Sequence, residues 1–346
     1  MSHNDDDGHV AEDVVSGEPR RGPSKDELRA GFGKMWRLGW ITLLWQLSAA
    51  TLLGFLMGGS QAMKTEWLEN MLSAVPIIAV LLSYRTENMH PERRHPFGHH
   101  RTATLAFMVA AFALACVGTY LFYDSLLKLI HGERPSIGGF TLFGHTFWHG
   151  WLMIGAMFLT GIPPVFLARA KIPIAKLLHD KAFYACAEMD RANWMSNGAG
   201  VIGLTLVAFG LWWGDALAAL LISLSILRDG WTNVAKSLSD VMDHHPIDLE
   251  TGRPDAIVTE VHRALHALPF VEQEKTLLRE HGRYLYAEIF IQPNEKMGPV
   301  TEATRLVREA IMPLDWRLQH IAVEFTDDAD ASAAVLTREE MDIESA

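Results

Sequence analysis

The stretch Tyr184–Gly203, YACAEMDRANWMSNGAGVIG, decides how this chain is read. It opens an apolar run ending near Leu211, long enough to cross a bilayer as a helix. Yet its first half carries Glu188, Asp190, Arg191, Asn193 and Asn197. At a helical period Cys186, Asp190, Asn193 and Asn197 fall on one face, with Glu188 and Met189 beside it. Asn and Ser alone would serve packing between membrane helices. An ionisable group at membrane depth is costly and points instead to a functional site.

A counterpart lies upstream. Glu66, Glu69, Asn70 and Ser73 are three and four positions apart, so they share a helix face. Two such helices facing each other would assemble Glu69 and Asn70 against Asp190 and Asn193. Carboxylate and amide oxygens gathered in this way hold a divalent cation. The chain has no nucleophile paired with a base and no HExxH motif, so the reading is a carrier and not an enzyme.

The surrounding pattern is that of a membrane protein. Of 346 residues 49% are hydrophobic and 11 are Trp, with the apolarity concentrated before residue 232. Six apolar runs follow one another: 35–57, 67–84, 105–129, 147–167, 185–212 and 216–234. Each is near the roughly 20 residues that span the hydrocarbon layer. Trp36, Trp40, Trp148, Trp151, Trp212, Trp213 and Trp231 stand at their ends, as an aromatic belt does. Basic residues cluster in the N-terminal arm, in the second connection (Arg85, Arg93, Arg94, Arg101) and in the fourth (Arg169, Lys171, Lys176, Lys181). The positive-inside rule then places both termini in the cytoplasm of a multi-pass protein of the inner (cytoplasmic) membrane. A net charge of −11 argues against a nucleic-acid partner, and the polar start shows no cleavable signal. Cys116 and Cys186 both lie inside apolar runs and offer neither a disulfide framework nor a CxxC zinc pattern.

The expected domains are a disordered arm at 1–33, a six-span region at 34–238, a linker at 239–253, a small α-β-β-α-β domain at 254–327 and a disordered acidic tail at 328–346. The fold class is therefore membrane α-helical, with six transmembrane helices followed by a small α+β cytoplasmic domain. In that domain Ile257, Val258, Val261, Leu265 and Leu268 recur at helical spacing, and Leu285, Ala287, Ile289 and Ile291 alternate as in a strand. The connection after the second run, HPERRHPFGHHRTATLAF, has histidines at ligand-like spacing, with Glu92 three before His95.

The HPFGHHR loop, the DSLLKLI end of the third run and the NGAGVIG and GDALAALLISLSILRDGW segments together resemble the cation diffusion facilitator family. The resemblance covers about residues 35–327 and implies a homodimeric exporter of zinc, manganese, iron, cobalt or cadmium working by proton antiport. It also implies that the α-β-β-α-β domain is ferredoxin-like, and that Glu92, His95 and His99 correspond to a loop metal site of some relatives. Against the family pattern, the intramembrane histidine position holds Met189 and its aspartate partner position holds Asn193. Glu69 holds the first acid position of the second span and Ser73 the second, as in a divergent bacterial branch. The positions that place histidines at the family's cytoplasmic dimer interface hold Lys275, Phe290, Thr304 and Glu324, which implies no binuclear sensing site there.

Transport-site candidates are therefore Glu69, Asp190 and Asn193 first, then Glu66, Asn70, Cys186 and Met189, with Asp190 carrying the most weight. The expected cargo is a divalent metal ion, with zinc, iron, manganese and cobalt all open, and the chain needs no cofactor. Losing imidazole while keeping oxygens disfavours zinc relative to manganese or iron, and Met189 or Cys186 would reverse that if either faced the site. Its partners are that cation, protons, membrane lipid and a second copy of the chain. Two other readings remain: a proton-coupled carrier of a non-metal or monovalent cation, and a non-transporting membrane metal sensor or scaffold.

Overall fold

The structure, a computed structural model, describes residues 23–87, 92, 93, 95–142 and 145–329. The first 22 residues of the expected arm, and the tail from residue 330, lie outside the described residues. Six long helices follow the six apolar runs: α1 (Lys25–Leu56), α2 (Gln61–Glu87), α3 (Thr102–His131), α4 (Gly150–Leu178), α5 (Lys181–Ala208) and α6 (Trp213–Val241).

Most of them overshoot their apolar runs, because polar residues continue a helix once it is nucleated. Thus α1 starts at Lys25, where the sequence suggested an irregular arm up to residue 33. Ser24 with Glu27 three residues on is a capping-box pattern, and Asp26 and Glu27 in the first turn suit the helix dipole. Phe147, expected to open the fourth run, belongs instead to a short hairpin. In it β1 (Gly139–Leu142) pairs antiparallel with β2 (His145–Trp148), and α4 begins at Gly150.

Helices α1 to α4 are long and apolar enough to cross a membrane. Helices α5 and α6 match them in length but are diluted by Glu188, Asp190 and Arg191 in one and Asp215, Arg228 and Asp229 in the other. The unit is thus helical and of membrane type.

Glycines set how closely the helices pair. A Cβ at Gly118 of α3 would lie 2.8 Å from Leu227 N of α6, and one at Gly230 of α6 would lie 2.6 Å from the Ala115 backbone of α3. Backbones approach this closely only where small residues line the contact. Helix α4 meets α5 at Gly161 and Gly200, where an added Cβ would strike the side chains of Asn197 and Met157. Helix α2 packs against α3, α5 and α6. Its first turn is capped by another helix: Asp215 of α6 accepts hydrogen bonds from Ser60 Oγ at 2.6 Å, Gln61 N at 2.6 Å and Ala62 N at 3.2 Å.

A second compact unit includes, among the described residues, 245–279 and 284–329. Its elements are α7 (Ala256–His266), β3 (Val271–His281), β4 (Tyr284–Pro293), α8 (Val300–Ile311) and β5 (Leu318–Phe325), with strand order β3-β4-β5 and β5 parallel to β4. This is the α-β-β-α-β order that the sequence suggested. Ile257, Val261 and Leu265 of α7 and Ala303, Val307 and Ile311 of α8 close a core with Leu285, Ala287, Ile289 and Ile291 of β4. Asp255 caps α7 by accepting from Ile257 N at 3.2 Å. The nearly buried Arg317 joins Asp255 at 2.8 Å and Asp315 at 2.7 Å.

Candidate functional site

Helices α2 and α5 meet through polar side chains. Asn197 Nδ2 donates to Glu66 Oε1 at 2.6 Å, and Ser196 Oγ donates to Glu69 Oε1 at 3.3 Å. On α2, Asn70 Nδ2 donates to the Glu66 carbonyl oxygen at 3.0 Å and lies 3.5 Å from its Oε1. Asn193 stands one turn before Asn197, whose Nδ2 also donates to its carbonyl oxygen at 3.1 Å. Helix α4 orients Asn197 from behind. Thr160 Oγ1 donates to Asn197 Oδ1 at 3.1 Å, and Gly161 leaves room for the close approach. With its oxygen so engaged, the amide turns its NH2 toward Glu66.

The acceptors outnumber the donors. Glu66 is fully buried, and among the described residues its Oε2, Glu69 Oε2 and Asn193 Oδ1 are buried without a hydrogen-bond partner. Among the described residues no lysine or arginine forms an ion pair with Glu66 or Glu69. The carboxylates of Glu66 and Asp229 are both near enough to repel that of Glu69. A buried carboxylate left unpaired costs several kcal/mol. The arrangement therefore calls for positive charge, either protons or a cation.

The first-ranked residue of the sequence reading stands elsewhere. Asp190 Oδ2 is 2.6 Å from Lys171 Nζ of α4, both side chains are buried, and Gln46 Nε2 of α1 approaches its Oδ1 at 3.5 Å. Asp190 thus already has a cation, two helical turns along α5 from the Glu66 contact at Asn197. The two soft candidates pack into apolar clusters. Cys186 is buried among Met35, Leu43, Ile77 and Phe183. Met189 packs with Leu114, Leu121, Ile222 and Ile226, and its sulfur lies 3.8 Å from Asn233 Nδ2.

In the loop after α2, Glu92 and His95 exchange backbone hydrogen bonds at 3.2 and 3.0 Å, and the His95 and His99 rings are 4.3 Å apart. His95 thus stands beside His99, with the Glu92 backbone paired to that of His95. Burial pushes the His100 pKa down, with the neighbouring His99 adding to the effect. Among the described residues no three His, Cys, Asp or Glu side chains surround a common point as a metal cage. The oxygen cluster of α2 and α5 is of another kind, with two glutamates supplemented by amides and a hydroxyl.

Sequence reasoning left out Ser196 and the proximity of Asp229 to Glu69, and it counted Lys171 as a loop cation. Asp229 and Lys171 were visible as charges inside or beside apolar runs, but nothing local says which helix they meet.

The helical unit that carries this cluster has known relatives. Residues 39–242 match the cation efflux transmembrane domain family. The uncharacterized transporter YdbO of Bacillus subtilis is 26% identical over 211 residues, 59% of this chain and 67% of that protein. The manganese efflux system protein MneS of the same organism is 24% identical over 57% of this chain and 64% of its own length. The zinc transporter ZitB of Escherichia coli is 22% identical over 66% of this chain and 70% of its own. The match thus spans about two thirds of each relative's length. With its family match covering more than half of its residues, the chain belongs to the cation diffusion facilitator family of cation efflux transporters.

Proposed function

We propose that this protein exports a divalent metal cation, held in transit by oxygens of Glu66, Glu69, Asn70 and Asn193, with Asn197 orienting the Glu66 carboxylate. The observation that carries the reading is the set of three buried, unpartnered oxygens on Glu66, Glu69 and Asn193. A cation supplies the charge that these groups lack, and two protons supply it when the cation has left. That exchange is the physical basis of proton antiport, since metal and protons compete for the same carboxylates. In this reading α1 to α6 all cross the membrane, both termini are cytoplasmic, the protein is a homodimer, and access alternates between the two sides.

The donor set is all oxygen. Such a site favours manganese, iron or magnesium over zinc, which prefers imidazole and thiolate. Met189 and Cys186 pack into apolar clusters and are not among these donors, so no soft ligand offsets this preference. A manganese efflux protein among the relatives agrees with it. The Glu92, His95 and His99 loop is a secondary candidate, for a cation waiting at the cytoplasmic side.

The test is flux into proteoliposomes loaded with a metal-sensitive dye, run with manganese, iron, cobalt and zinc. Wild-type protein is expected to carry manganese best, and Glu66→Gln with Glu69→Gln to carry none. Undiminished flux in that double variant would falsify the site.

A further inference from the structure

The sheet-containing unit has a cluster of metal-ligating side chains that the transport reading does not use. His262 and His266 are four residues apart on α7 and so share one face. Glu274 of β3 lies beneath that face. Its Oε1 is hydrogen-bonded to His262 Nδ1 and lies 3.6 Å from His266 Nε2. Its Oε2 accepts from Thr276 Oγ1 at 2.8 Å. The carboxylate is 1% exposed, whereas the two imidazoles are 39% and 61% exposed.

We infer that His262, His266 and Glu274 form a binding site for a late first-row divalent metal ion, of the zinc or cobalt type. Two imidazoles one helical turn apart, with a carboxylate from a neighbouring element, supply three ligands of a tetrahedral site and leave a fourth position for water. The hydroxyl of Thr276 orients the ligating carboxylate, as outer-shell partners do in metal sites. A purely structural contact between α7 and β3 would need only His262. The approach of His266 Nε2 to the same oxygen gives that oxygen two imidazole neighbours.

Here His262 closes directly on the carboxylate, so the three groups do not yet surround a common point. A metal ion takes the place of the proton that His262 Nδ1 and Glu274 Oε1 share, and that proton goes to solvent. The half-exposed His262 ring has room to turn and admit the ion at about 2.0–2.2 Å from each donor. With two nitrogens and one oxygen, this site prefers softer ions than the all-oxygen cluster between α2 and α5. It therefore reports on a different metal from the one proposed as cargo, and it stands whether or not the transport site is correctly placed.

The experiment is a cobalt(II) titration of the full-length protein in detergent, read by visible absorption. Glu66→Gln, Glu69→Gln, His95→Gln and His99→Gln are combined to silence the other candidate sites. This background is expected to keep one cobalt per chain, with the intense absorption of a four-coordinate ion, displaced by zinc. Adding His266→Gln is expected to weaken binding by at least about 10-fold. His266 is largely exposed, so an unchanged unfolding temperature will show that the fold survives. No cobalt absorption in the background variant, or unweakened binding after His266→Gln, would overturn the site.

Discussion

Lys171 Nζ lies 2.6 Å from Asp190 Oδ2, and this ion pair is sealed inside the helical unit. Lys171 is 0% exposed, and its ammonium also stands 5.8 Å from the centre of the Phe183 ring. The pair ties α4 to α5, and Gln46 brings in α1. Taking one member away strands the other, at a cost of about 3–5 kcal/mol, whereas replacing both with apolar residues of similar volume is often neutral. Asp190→Ala is therefore expected to lower the unfolding temperature sharply, and Lys171→Met with Asp190→Leu to restore most of it. The double variant should still bind manganese. If it binds none, while unfolding as the wild type does, Asp190 belongs to the transport site.

Asn193 offers a second handle. Its Oδ1 is a buried acceptor without a hydrogen-bond partner among the described residues. Asn193→Asp adds a carboxylate to the cluster and should tighten manganese binding by about 10-fold, equivalent to about 1.4 kcal/mol. Tighter binding slows release, so flux should fall as affinity rises. Calorimetry and dye flux on the same preparation check both halves.

The contact between α3 and α6 is predicted to be intolerant of bulk. A methyl group at Gly230 would meet Ala115 N and Cα at 2.6 Å, and both are backbone atoms that cannot rotate away. Gly230→Ala should destabilise the protein by about 1–3 kcal/mol, as overpacking generally does. Gly155, where an added Cβ would find nothing within 4 Å, is the control and should accept alanine without loss. Thermal unfolding of the two variants side by side decides it.

In the sheet-containing unit, Arg317 is the buried charge on which two acids depend. Arg317→Ala would strand Asp255 and Asp315 together, and Asp255 also caps α7. A loss of about 3–5 kcal/mol is expected. Arg317→Lys should recover only part of it, because an ammonium cannot bridge two carboxylates with the reach of a guanidinium. Hydrogen exchange in α7 is the sensitive measure.

The helices and strands were legible because each writes its own periodicity into the chain. All six apolar runs became helices, and the Leu285–Ile291 alternation became β4. The partners were not legible. A face of α5 drawn through Cys186, Asp190, Asn193 and Asn197 is broad enough to touch several neighbours. Its early part meets α1 and α4, where Gln46 and Lys171 take Asp190. Its later part meets α2, where Asn197 takes Glu66. Helical spacing says which residues are neighbours along one element, and it is silent on which element stands opposite. Lys171 shows the same limit, since a basic residue near the end of an apolar run reads as a loop charge unless α4 is known to continue to Leu178.

The cap that Asp215 places on the first turn of α2 limits how that helix can travel. Sliding along its own axis would break the contacts to Ser60, Gln61 and Ala62 together. Swinging about them would not. At a rise of 1.5 Å per residue, Glu66 sits about 7 Å from that pivot and Glu69 about 12 Å. The two carboxylates are then unequal points on one lever, and any swing carries Glu69 more than half as far again as Glu66. Opening and closing the cluster becomes a change in the gap between α2 and α5 that is wider at Glu69 and Ser196 than at Glu66 and Asn197.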